Sequence, residues 1–175
     1  MTEIRRAAEE IISSRGYKKN KRECPCNIPS DFSHIGCFLD EMSRPVCVLS
    51  YDGQIPKTQY TNLSKNNERA FFTIVHSSSP SHEEQLEQFS NINLVSVGLI
   101  DLNPTMFSFG PSSYRIVKSK HTDSLSGKLP IYSYSDPIVK YIGARHGDVI
   151  EILRTETIPS QLVASSLYLR QVTIE

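Results

Sequence analysis

The stretch SDPIVKYIGARHGDVIEIL, residues 135–153, constrains this chain more than any other. Asp136 can accept backbone N–H bonds as a helix N-cap, and Pro137 stands at the first helical position, where a missing N–H costs nothing. Ile138, Tyr141 and Ile142 then share a face. Gly143 stops the helix, and Gly147 allows the positive φ of a tight turn. From Asp148 to Arg154, Ile150 and Ile152 alternate with Glu151 and Leu153, which predicts a half-buried strand. The closing segment ASSLYLRQVTIE alternates Leu167, Leu169 and Gln171 against Tyr168, Arg170 and Val172, and predicts another. A short helix docked on a small sheet follows. The stretch specifies shape firmly, and it carries no pattern of nucleophile, general base or metal ligand.

Composition narrows what such a shape can serve. At 175 residues the chain holds one ordinary domain or two small ones. Lys+Arg and Asp+Glu both number 19, so the formal net charge is zero. A free-standing nucleic-acid binder needs a basic excess to neutralise phosphates, and this chain has none. Zero net charge favours association instead. No apolar run approaches the ~20 residues of a membrane-spanning helix, and MTEIRRAAEE has no signal-peptide core. The expectation is a soluble protein in a reducing compartment, with its four cysteines as thiols.

Upstream the signals are weaker. In TEIRRAAEEIISSRGY, Ile4, Ala7, Ala8, Ile11 and Ile12 form one helical stripe, with Arg5, Arg6, Glu9 and Glu10 on the solvent face and Gly16 at the stop. KKNKRECPCNIPSD (18–31) reads as a loop. PVCVLS (45–50), AFFTIV (70–75) and LVSVGLI (94–100) read as strands. Between the last two, Ser81 and Glu84 have the spacing of a capping box, so 70–100 takes the order of a β-α-β unit. Residues 104–120 suggest a short strand, a Gly-Pro break and another strand, and HTDSLSGK (121–128) reads as a linker.

Cys24, Cys26, Cys37 and Cys47 equal in number the thiols of a structural zinc site. Their C-P-C start and single later cysteines are not the paired C-x-x-C spacing. Cys47 also falls inside a predicted apolar strand, where cysteine acts as a small hydrophobe. The expectation is reduced thiols in a loop and a core, with no metal and no cofactor; a metal site is the alternative. The five histidines, at 34, 76, 82, 121 and 146, form no H-x-x-H or H-E-x-x-H motif and read as surface or loop residues. Arg15 to Arg22 is a local basic run, read as a solvated loop, with an import signal or a DNA-phosphate contact as alternatives.

From Leu129-Pro130 onward the chain resembles the C-terminal domain of the fifth subunit shared by eukaryotic nuclear RNA polymerases, whose archaeal counterpart is the polymerase H subunit. Leu129, Pro130, Asp136, Pro137, Tyr141, Gly143, Gly147, Ile152, Arg154 and Tyr168 stand in the family's order over about 45 residues. More loosely, EEIISSRGY, FFTIVHSSSPSHEEQLEQF and DLNPTMFSFGPSSYRIVKS resemble segments of the eukaryotic N-terminal jaw domain and the strands that follow it. The jaw is shorter than in cellular members, and the acidic helix before Leu129 is missing. These departures mark a divergent relative, cellular or viral.

The resemblance implies an α/β jaw domain of restriction-endonuclease-like, non-catalytic fold over 1–120 and a small α+β assembly domain over 121–175. It implies a non-catalytic structural subunit of a multisubunit DNA-directed RNA polymerase. Such a subunit would dock on the largest subunit beside its neighbours and form part of the lower jaw near downstream DNA, with no membrane attachment and no homo-oligomer. Asp136, Pro137, Tyr141, Gly143, Gly147, Asp148, Arg154 and Tyr168 carry over as scaffold and interface residues, with none catalytic. The implied location is the nucleus for a cellular source, and host cytoplasm or virion for a viral one. The alternative is a free-standing adaptor or nuclease-like DNA-processing protein with a borrowed assembly domain. Asp31, Asp40, Asp52 and Glu68 would be its metal carboxylates, but no strand-borne Asp followed by Glu-x-Lys, phosphate loop or G-x-S-x-G elbow accompanies them.

Overall fold

The computed structural model describes residues 2–21, 26–67, 69–77, 89–106, 112–117, 129–157 and 163–174. These divide into two compact units, Met1–Leu102 and Asn103–Glu175. The division lies upstream of the 120/121 boundary expected from sequence. Strand Ser112–Val117 pairs within the second unit's sheet, which carries it across that line.

In the first unit, helix α1 (Glu3–Ser14) precedes strands β1 (Lys18–Lys19), β2 (Ser33–Leu39) and β3 (Pro45–Tyr51). Helix α2 (Lys57–Lys65), β4 (Phe72–His76), β5 (Ile92–Ser96) and helix α3 (Val97–Leu102) complete it. The sheet order is β1-β2-β3-β4-β5; the first three strands are antiparallel neighbours, and β3, β4 and β5 run parallel. Parallel strands covered on both faces read as continuous apolar runs, which is why β3 to β5 stood out in the sequence. One face packs Cys47, Leu49, Phe72, Ile74, Ile92 and Leu94 with Phe32, Tyr60 and Leu63. Against the other side of the sheet, α1 packs on β3 and β4 and buries Ala7, Ala8 and Ile11.

Arg15 departs from expectation. It is buried, and its guanidinium donates to Thr73 Oγ1 at 3.1 Å, Asn93 Oδ1 at 2.9 Å and the Tyr17 hydroxyl at 3.0 Å. The first residue of the basic run is therefore a clamp from the end of α1 onto β4 and β5. Lys18, Lys19 and Lys21 are exposed, and Arg22 lies outside the described residues. His76, expected at the surface, is buried at the end of β4.

Two further differences concern element type. The predicted strand 94–100 ends at Ser96, whose hydroxyl accepts from the Leu99 N–H at 3.2 Å and starts α3. Pro104–Met106 is a 3-10 turn where a short strand was expected. No element was foreseen over β2 or α2. The helix expected from Ser81 and Glu84, the Gly-Pro break and the 121–128 linker lie outside the described residues.

In the second unit, β6 (Ser112–Val117), β7 (Ile131–Ser133), helix α4 (Pro137–Ile142), β8 (Val149–Thr157) and β9 (Val163–Thr173) build a sheet of order β6-β8-β9-β7. The pairings are antiparallel except β7 with β9. Its core gathers Tyr134, Val139, Ala144, Ile150, Ile152 and Val172, with Tyr114, Ile116, Tyr132 and Ile142 packed against it.

Candidate assembly interface

The second unit is built around two backbone turns that its sequence specifies. Asp136 caps α4, its Oδ1 accepting from the Ile138 N–H at 2.8 Å, with Pro137 in the first turn. The Asp136 carboxylate also lies near enough to the Tyr132 hydroxyl for its charge to act on it. Burial first, then the Asp136 charge, raises the Tyr132 phenol above its ordinary range, so it stays protonated.

At the other end of α4, Gly143 adopts φ +73°. Its N–H donates to the Lys140 carbonyl and the Ala144 N–H to the Val139 carbonyl, each at 3.2 Å, the paired bonds of a Schellman stop. Val139 and Ala144, the apolar pair that accompanies such a stop, are both fully buried. Gly147 takes φ +85° and donates to the Val172 carbonyl at 2.9 Å, while the Asp148 carbonyl accepts from the Val172 N–H at 2.9 Å. The Asp148 carboxylate closes the turn by accepting from the Arg145 N–H at 2.8 Å. Helix, turn and hairpin are thus bonded into one piece.

The β8–β9 hairpin has two unlike faces. Ile150 and Ile152 point into the core with Val172. On the opposite face Leu153 and Leu167 sit directly across from each other, 38% and 60% exposed. The alternation along β9 is as read from sequence, but Val172 marks its inward face, and the leucines face away from the core. Glu151 on that outer face pairs with Arg115 of β6 at 2.7 Å. Leu169, opposite Glu151, is half-buried.

The eight expected scaffold residues therefore separate. Asp136, Pro137, Gly143, Gly147 and Asp148 shape the turns, and Tyr141 is buried in α4. Arg154 and Tyr168 are exposed together, the guanidinium 5.3 Å from the ring centroid. The outer leucines are the surface residues that sequence reading missed. The signal was present: an apolar residue on each parity of a strand leaves one of them outside.

The nuclease-type carboxylates do not converge. Asp40 binds the Met42 and Arg44 N–H groups at 3.0 and 2.8 Å and the Arg44 side chain at 2.8 Å, closing the β2–β3 turn. Asp31 accepts from Gln59, Asp52 accepts from Ser77 at 2.9 Å, and Glu68 lies outside the described residues. Each described carboxylate is engaged locally.

Residues 119–172 match the family model described as RNA polymerase Rpb5, C-terminal domain. No curated protein matches the chain. The matched segment spans α4, the Gly147 turn and most of the β8–β9 hairpin. That family is a non-catalytic RNA polymerase subunit associated with the enzyme's other subunits. Residues 119–172 thus form a domain of the type found at the C-terminus of Rpb5, the subunit whose archaeal counterpart is the polymerase H subunit.

Proposed function

We propose that this protein is a structural subunit of a multisubunit DNA-directed RNA polymerase, docked on the largest subunit through its second unit. The match over 119–172 carries this reading. Two physical features support it. The turns at Gly143 and Gly147 are locked by their own hydrogen bonds, so little backbone has to be ordered on docking. The outer face of the hairpin offers Leu153 and Leu167 for burial, with the Arg115–Glu151 pair at its side.

The first unit takes the role of the lower jaw, on an α/β fold with a mixed sheet and without a gathered carboxylate set among its described residues. The exposed Lys18, Lys19 and Lys21 are its means of approaching downstream DNA. Its workplace is the compartment of the polymerase, nucleus or cytoplasm.

Affinity purification of the full chain from its natural host tests the reading. Two very large polymerase subunits should co-purify with wild type. Leu167→Asp should lose them while keeping its fold, since an exposed substitution moves stability by only about 0.5 kcal/mol. Wild-type chain recovered alone, with metal-dependent DNA cleavage, would replace this reading with a nuclease-like one.

A further inference from the structure

Outside the C-terminal domain, one cluster of side chains has the composition and spacing of a soft-metal site. Cys37 of β2 and Cys47 of β3 are direct cross-strand partners. In a regular strand, residues three apart point to opposite faces, so His34 would face away from Cys37. A bulge prevents this. The register places His34 opposite Leu49 and Gly36 opposite Val48, leaving Ile35 as the extra residue. His34 therefore returns to the face of Cys37, and its partner Leu49 shares the core face of Cys47.

The ligand atoms of His34, Cys37 and Cys47 all lie within 4.8 Å of one another, and His34 Nε2 is 3.5 Å from Cys37 Sγ. Tetrahedral zinc, with Zn–N and Zn–S bonds of about 2.0 and 2.3 Å, sets a nitrogen–sulfur separation of about 3.5 Å and a sulfur–sulfur one of about 3.8 Å. The histidine–cysteine edge already has that length. The His34–Cys47 edge needs a contraction of at most about 1.3 Å and the Cys37–Cys47 edge at most about 1 Å, within the reach of side-chain rotation.

The geometry points to a zinc site formed by His34, Cys37 and Cys47, with water at the fourth position. Imidazole and thiolate favour zinc over magnesium or calcium. Binding would release the thiol protons to solvent and join β2 to β3 through two ligands on one strand and one on the other. The expectation of no metal rested on thiol spacing and on the place of Cys47 in an apolar strand. Of the four thiols weighed there, Cys26 packs on the same apolar cluster but is not one of the three converging ligands, and Cys24 lies outside the described residues. The useful signal was the His-x-x-Cys spacing of 34 and 37, which the bulge converts into one face.

The test titrates the full chain, reduced and stripped of metal, with Co²⁺ and then displaces it with Zn²⁺. Wild type should take one equivalent, develop a thiolate-to-cobalt charge-transfer band, lose it to zinc, and unfold at higher temperature with zinc bound. Cys37→Ser should weaken binding at least ~10–100-fold, the range that mere second-shell partners command, and so should His34→Asn. Both positions are partly or fully exposed, so circular dichroism should show each variant folded. Absence of the band in fully reduced wild type would overturn the site. So would unchanged affinity in Cys37→Ser, which would place the metal elsewhere. A Cys37–Cys47 disulfide in the isolated chain, with no zinc uptake after its reduction, would assign the pair to redox chemistry instead.

Discussion

The two units bury their sheets differently, and the difference separates what holds a fold from what presents a surface. In the first, every residue of β4 and β5 is buried, along with Val46 to Ser50 of β3. In the second, β8 alternates buried Ile150 and Ile152 with exposed Leu153 and half-buried Glu151. Strands covered on both faces, as β4 and β5 are, leave no surface for a partner. A sheet covered on one face keeps the other for a partner, provided its shape is fixed before the partner arrives. The capped helix and the Gly147 turn fix it.

The largest expected effect tests whether the units stand apart. Phe72→Ala removes a fully buried ring from the first core and should cost about 3–5 kcal/mol. Hydrogen exchange should accelerate across β3, β4 and β5 while β8 and β9 keep their protection. Equal loss in both would make the chain one cooperative fold and end the comparison.

Next in size is Gly147→Val. An added Cβ there meets nothing within 4 Å, so strain at φ +85° is the whole effect, about 1–3 kcal/mol. Urea unfolding should show the loss confined to the second unit, and incorporation into the polymerase should fall with it. Gly147→Asn should recover most of it, because Asn tolerates the left-handed region. An equal loss with Asn would mean that something other than the turn had been damaged.

Asp136→Ala should cost about 1 kcal/mol by uncapping α4, and Asp136→Asn much less, as Asn caps nearly as well. The smallest effect is a pH dependence. The Tyr132 phenol is raised above its usual value near 10 by burial and then by Asp136, so the folded state binds its proton more tightly than the unfolded chain. That stabilisation is complete below about pH 10 and is lost as pH rises toward the folded value. Urea midpoints across that range should fall in wild type and lose this component in Tyr132→Phe. In Asp136→Asn the component should shrink without vanishing, since burial persists. An identical pH slope in all three would remove Tyr132 from the account.

Legibility followed the range of the interactions. Helix α4, its cap and stop, and the Gly147 turn were readable because each bond that makes them spans a few residues. Helix α1 was readable from its apolar stripe and Gly16, and β3 to β5 from their unbroken apolar runs. Strand β2 was not, since Gly36 interrupts the short apolar run of SHIGCFL and the strand does not alternate, and only its pairing with β3 and the bulge at Ile35 give it a place. Helix α2 was missed because Tyr60 and Leu63 alone anchor it.

The sequence by itself determined the second unit's turns, its family and the two parities of its hairpin, because caps, left-handed glycines and strand alternation act between near neighbours. Only the tertiary structure decided which face of β9 turns inward. It alone drew Arg15 from a basic run onto Thr73 and Asn93, and set His34 beside Cys37 and Cys47. Those outcomes depend on which distant strand arrives opposite, and side chains 10 to 78 residues apart in the chain meet only when the sheet forms.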